Sequence, residues 1–135
     1  MQKYPEPTCG AIIFNRKNKI FLRRSHKWHG KYVTPGGHIE LGEKMEDSLK
    51  REIKEETGLQ IYGIKFVCFH EFIYGKAFWK RRHFIFFDFA CRTDNENVTL
   101  NSEGQEFTWI TLEDALKLKS LEQYTRKTLE AYKHL

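Results

Sequence analysis

The stretch Gly36–Leu59, GGHIELGEKMEDSLKREIKEETGL, decides how the rest of this chain is read. Its second half predicts a helix over about Met45 to Thr57, because Leu49 and Ile53 lie four apart and share one apolar face while Glu and Lys fill the remainder. Gly58 stands where a left-handed helix cap is expected. Glu52, Glu55 and Glu56 fall at i, i+3 and i+4, so their carboxylates project from one side of that helix. Like charges that close repel one another, and a cation between them is a physical reason to gather them. Oxygen-only ligation suits a hard ion such as Mg²⁺, with Mn²⁺ as the other candidate. Glu43, ahead of the helix, is placed to turn back toward the same ion through water, and Arg51 to pair with and orient a neighbouring carboxylate. A plain solvated Glu/Lys face is the competing account of KREIKEE taken alone. A di-iron bundle site lacks its Glu-x-x-His pair here.

Outward from this segment the chain reads as strands, helix, strands, helices. Thr8 to Phe14 and Ile20 to Arg24 are β-rich runs joined by a turn, and Ser25 to Lys31 is a polar loop. Leu59 to Tyr74 and His83 to Arg92 are two long β-prone runs joined through 75–82, a hairpin whose tip is expected to expose Phe78 and Trp79. Phe66, Phe69, Phe72, Phe84, Phe86 and Phe87 are expected in the sheet core. Phe107 to Ile110 is a short strand, Thr111 opens a helix with Asp114 three residues on, and a last helix covers roughly Leu121 to Lys133. This order argues for an α/β (α+β) chain with a mixed sheet packed between helices.

With 135 residues, 40% hydrophobic and 30% charged, the chain suits one domain, 1–135, with one core. No apolar run reaches membrane-spanning length, and the first residues lack a signal-peptide pattern, so the expected location is the cytoplasm. Cys9, Cys68 and Cys91 form no CxxC pair, which argues against a zinc site built on cysteine, and are expected as small buried hydrophobes. The net charge of +5 serves a polyphosphate ligand as well as it serves nucleic acid. The usual aromatic-basic motifs of nucleic-acid recognition are missing.

The complete spacing goes further than the glutamates. Gly37, Glu43, Arg51-Glu52-Ile53, Glu55-Glu56 and Gly58-Leu59 occupy nine defined positions across 23 residues and match the Nudix box at each. The chain therefore strongly resembles the Nudix hydrolase family, and Glu103-Gly-Gln-x-x-x-Trp109 resembles its MutT-like branch. The resemblance implies an α/β/α sandwich with a loop–helix–loop metal site. Mg²⁺ would be held by Glu52, Glu55, Glu56 and the Gly37 carbonyl, with Glu43, Arg51 and Gly58 in support. It also implies attack of water on phosphorus in a nucleoside-diphosphate-linked small molecule, foremost a nucleoside triphosphate. ADP-ribose, a nucleotide sugar or a dinucleoside polyphosphate are the alternatives, and a non-catalytic sensor domain is a third. Many relatives are homodimers.

Several assignments within this picture stay open in the sequence. The general base is Glu55, Glu56 or Glu103, with Glu106 behind Glu103. Among Arg23, Arg24, Lys27 and Lys31, Arg24 is expected to meet the phosphates. His38 is placed to face substrate, and Trp28 to stack on a base or to plug the core edge. Glu56→Gln is expected to leave folding nearly intact while removing turnover.

Overall fold

Alternation along the first strand builds both sides of the core, as successive side chains on a strand must point to opposite faces. In the computed structural model, which describes residues 2–102 and 106–135, β1 (Glu6–Phe14) sends Cys9, Ala11 and Ile13 one way and Ile12 and Phe14 the other. There follow β2 (Lys19–Ser25), a 3-10 turn at His26–Trp28, β3 (Lys31–Val33), β4 (Gly36–His38) and α1 (Met45–Thr57). The chain continues through β5 (Tyr62–Ile73), β6 (His83–Arg92), β7 (Phe107–Thr111), α2 (Leu112–Leu116) and α3 (Gln123–Lys133). The strands form one mixed sheet in the order β3-β2-β1-β6-β5, with β4 added to β1 and β7 to β2. β1 and β6 are parallel along the whole of β1, and the other strand pairs are antiparallel.

Helix α1 covers one face. Its Leu49 and Ile53 are fully buried against Cys9, Ala11, Ile13, Phe21 and Phe89, and each such burial contributes about 1.5–3 kcal/mol. On the other face Ala115 of α2 and Leu129 of α3 pack with Ile12, Phe14, Ile20 and Leu22. The result is a mixed sheet between helices, as the element order argued.

The helix ends follow their caps. Gly58 takes φ 77° and its N–H bonds the Lys54 carbonyl at 2.9 Å, closing α1 in the left-handed turn that glycine enters without strain. The Thr111 hydroxyl accepts from Asp114 N–H. The last helix starts at Gln123 rather than Leu121, because the Glu122 carboxylate caps it by accepting from the N–H groups of Tyr124 and Thr125.

Three expectations change. Phe66 and Phe69 are not core: they are 53% and 58% exposed, because β5 is the sheet edge. Phe78 is half-buried, packing against Trp28, Phe72 and Phe84, and only Trp79 of that pair is exposed. Cys9 and Cys91 are buried but Cys68 is only half-buried, beside His70 and Asp88. Among the described residues, no helix is long and apolar enough to cross a membrane.

Candidate active site

The short β4 strand lies on β1, with Cys9 opposite Gly37 and Gly10 opposite Gly36. Both glycines sit at close approaches. A Cβ on Gly36 would overlap the Cys9 carbonyl, and one on Gly37 would overlap the Glu52 carboxylate. The backbone of Gly37 therefore rests directly on the carboxylate of Glu52. The Ser48 hydroxyl donates to the His38 carbonyl at 3.2 Å and ties the first turns of α1 to the end of β4.

Arg51 is the hub of the loop and helix. Its Nε and Nη2 donate to the two oxygens of Glu43 at 2.7 and 2.9 Å, its Nη1 to Glu52 at 3.0 Å, and its Nη2 to the His38 carbonyl at 3.2 Å. A longer contact of 3.3 Å reaches Glu55. The paired Arg51 guanidinium, with help from the Glu40 backbone, pulls the Glu43 carboxyl down to about 2. Arg51's own pKa is pushed up, first by Glu43. Both Glu43 oxygens accept from Arg51, which ties the loop to the helix.

The three box glutamates have distinct surroundings. Glu52 is half-buried under Gly37, whereas the Glu55 side chain is 57% exposed. Glu56 is 1% exposed: Oε1 accepts from Arg23 Nη2 at 2.7 Å and Oε2 from the Gly36 N–H at 2.8 Å. Among the described residues their oxygens do not form a set lying within 4.8 Å of one another. The donor set nevertheless fits a hard divalent cation. It is all oxygen, and the glycine that a Cβ would fill leaves the Gly37 backbone and the Glu52 carboxylate in contact.

A cavity of about 220 Å³ opens beside this turn. Gly36, Gly37, His38, Glu52 and Arg23 border one part of it, and Trp28, Phe78, Phe84, Phe86 and Tyr124 give it an aromatic wall. Arg23 is buried, and its Nε and Nη1 have no hydrogen-bond partner among the described residues. Buried donors of this kind carry a desolvation cost until an acceptor arrives.

Of the residues expected from the sequence, the structure brings Gly37, Glu52, His38 and Trp28 to the cavity. Arg24 is not there. Successive side chains of β2 face opposite ways, so Arg23 takes the cavity side while Arg24 pairs with Glu106 at 2.5 Å and lies over the Tyr32 ring. Glu106 is thereby occupied as well. His38 borders the cavity with its ring nitrogen 3.0 Å from Glu6. Glu103 lies outside the described residues.

Asp88 was missed: it lines the cavity, accepts from the Thr128 hydroxyl at 2.9 Å, and burial pushes its carboxyl up to about 7. The signal was present, since Asp88 is the one acid inside the apolar run HFIFFDFACR.

A profile of the NUDIX domain matches residues 5–132. The chain belongs to the Nudix family. It is 36% identical over 105 residues to the nucleoside triphosphatase NudI of Enterobacter sp. (strain 638), an alignment that covers 73% of this chain and 74% of NudI. Solved structures share its fold, two of them at TM-scores near 0.8. The MutT protein of Methanosarcina mazei Go1 superposes with a TM-score of 0.80 at 24% identity, covering 99% of this chain and 96% of its own. A MutT NUDIX hydrolase from Burkholderia pseudomallei gives 0.81 at 23% identity, covering 96% and 98%. By family the chain is thus a Nudix hydrolase, and in fold it is MutT-like.

Proposed function

We propose that this Nudix enzyme hydrolyses a nucleoside triphosphate to the monophosphate and pyrophosphate, with Mg²⁺ as its cation. The observation that carries the reading is Arg23. Two of its buried N–H donors lack acceptors among the described residues, and it stands beside Glu52, Gly36 and Gly37 on a cavity walled by aromatic rings. A phosphate oxygen satisfies those donors, and a nucleobase stacks on Trp28 and its aromatic neighbours. The naming of the similar NudI protein as a nucleoside triphosphatase supports the same substrate class.

Glu52, Glu55, Glu56 and the Gly37 carbonyl would hold the metal. The chemistry a bound Mg²⁺ supplies there is neutralisation of charge on the anhydride oxygens. The chain's own residues supply the rest. Arg51 fixes Glu52 and the loop, and Arg23 holds Glu56 while offering its remaining donors to phosphate. Glu55, exposed at the edge of this network, takes the proton of the attacking water. This is a contribution of about 10²–10⁴-fold. Glu103 is the other acid for that step, and Glu55→Gln and Glu103→Gln assayed side by side separate them. The base is the one whose loss removes the acid limb of the kcat–pH profile.

The test is a substrate panel with and without Mg²⁺, using Glu52→Gln as the control. Pyrophosphate release from triphosphates that needs both the metal and Glu52 supports the proposal. Preference for ADP-ribose or a nucleotide sugar moves the reading to a diphosphate-linked substrate. Tight metal binding with no turnover of any member points to a sensor.

A further inference from the structure

On the α3 side of the sheet, Cys68 and His70 stand two apart on β5, and Asp88 sits directly opposite Cys68 on β6. A pleated pair of strands sends residues so placed to one face. Their ligand atoms lie within 4.8 Å of one another. Cys68 Sγ is 3.5 Å from His70 Nε2, and His70 Nε2 is 3.9 Å from Asp88 Oδ2. None of the three belongs to the Nudix box, and the proposed hydrolysis uses none of them.

We propose that Cys68, His70 and Asp88 form a second metal site, for a borderline divalent cation of the Zn²⁺ class. A tetrahedral zinc with bonds of about 2.3 Å to sulfur and about 2.0 Å to nitrogen sets those ligands roughly 3.5 Å apart, which is the Cys68–His70 spacing. The His70–Asp88 spacing is about 0.5 Å wider than the roughly 3.3–3.4 Å of the same geometry, a gap that a small side-chain rotation closes. One thiolate, one carboxylate and one neutral imidazole balance a charge of +2. A sulfur and a nitrogen ligand also reject Mg²⁺, so the site is chemically distinct from the all-oxygen glutamates. The Thr128 hydroxyl lies 2.9 Å from Asp88 Oδ2 and 3.2 Å from His70 Nε2, the atoms that would ligate the cation, so metal binding must turn this hydroxyl away. Asp88 and Thr128 also line the substrate cavity, which leaves the fourth position to a water or a substrate atom. A cation there would set the charge of the cavity wall. A hydrogen-bonded cluster knitted by Thr128 alone is the rival account of the same distances.

Cobalt distinguishes them. Co²⁺ added to chelator-treated protein should give the near-ultraviolet thiolate charge-transfer band and the strong visible bands of a four-coordinate site, with Zn²⁺ abolishing both. Cys68→Ser and Cys68→Ala should each remove the charge-transfer band. His70→Ala should weaken Zn²⁺ binding by more than the roughly 10- to 100-fold that supporting residues cost. Cys9→Ser and Glu52→Gln, which probe the thiol and carboxylate beside Gly37, should keep the band. Circular dichroism checks that each variant is folded. A parent protein with no thiolate band overturns the proposal, as does a band that survives Cys68→Ser or disappears in Cys9→Ser.

Discussion

Arg23 and Glu56 form a buried ion pair, Nη2 to Oε1 at 2.7 Å, and the second oxygen of Glu56 receives the Gly36 N–H. One carboxylate thus joins β2, the end of α1 and the glycine turn. The geometry changes what Glu56→Gln should do. An amide has one acceptor oxygen, so its NH₂ would face either the Arg23 guanidinium or the Gly36 N–H. Breaking a buried pair from one side costs about 3–5 kcal/mol. We expect a loss of that size in urea unfolding for Glu56→Gln, partly recovered in Arg23→Met/Glu56→Gln, where no charge is left behind. An unchanged midpoint for the single variant contradicts the pair's structural role.

The two adjacent glycines should separate folding from metal use. Gly37→Ala meets only the end of a flexible glutamate side chain. We expect a stability cost of ~1 kcal/mol but a marked rise in the Mg²⁺ concentration needed for half-maximal rate. Gly36→Ala meets the Cys9 backbone instead, and should cost about 1–3 kcal/mol or more. Thermal melts and metal titrations of both variants check the contrast.

Glu43 makes a pH prediction. Its carboxyl is held at about 2, first by Arg51, against an ordinary 4.5. A depressed folded value means stability that is present above pH 4.5 and is lost as pH falls toward 2. Glu43→Gln should therefore be less stable than the parent at neutral pH and show a shallower loss across that acid window. Parallel melting curves for the two proteins over the window would contradict the assignment.

Trp28 packs against Phe78, Phe72 and Phe86 at the cavity wall. Stacking of one base on an aromatic ring is worth about 1–3 kcal/mol, so Trp28→Ala should raise KM for a nucleoside triphosphate roughly 5- to 150-fold. Inorganic tripolyphosphate, which has no base, should bind to both proteins alike. Equal losses for both ligands would place Trp28 in the core rather than against substrate.

Much of this architecture is legible in local sequence. The periodicity of Leu49 and Ile53, the cap at Gly58 and the Thr111–Asp114 pair depend on neighbours a few residues away, and the structure repeats them. The Arg51–Glu43 and Arg51–Glu52 contacts likewise lie inside one loop and helix. What the chain concealed is set by tertiary pairing. Arg23 and Arg24 are equivalent in composition, and only the facing of β2 sends one to Glu56 and the other to Glu106. Phe66 and Phe69 read as core because nothing local says that β5 is an edge. Cys68, His70 and Asp88 meet only through the β5–β6 register.

The most direct measurement is hydrolysis of a nucleoside triphosphate in ¹⁸O-labelled water with Mg²⁺, with products resolved by mass spectrometry for the parent and for Glu52→Gln. The expected products are a nucleoside monophosphate and pyrophosphate, one of them carrying a single ¹⁸O, with near-complete loss of both in the variant. Nucleoside diphosphate with orthophosphate, or equal turnover by Glu52→Gln, would contradict the proposed hydrolysis.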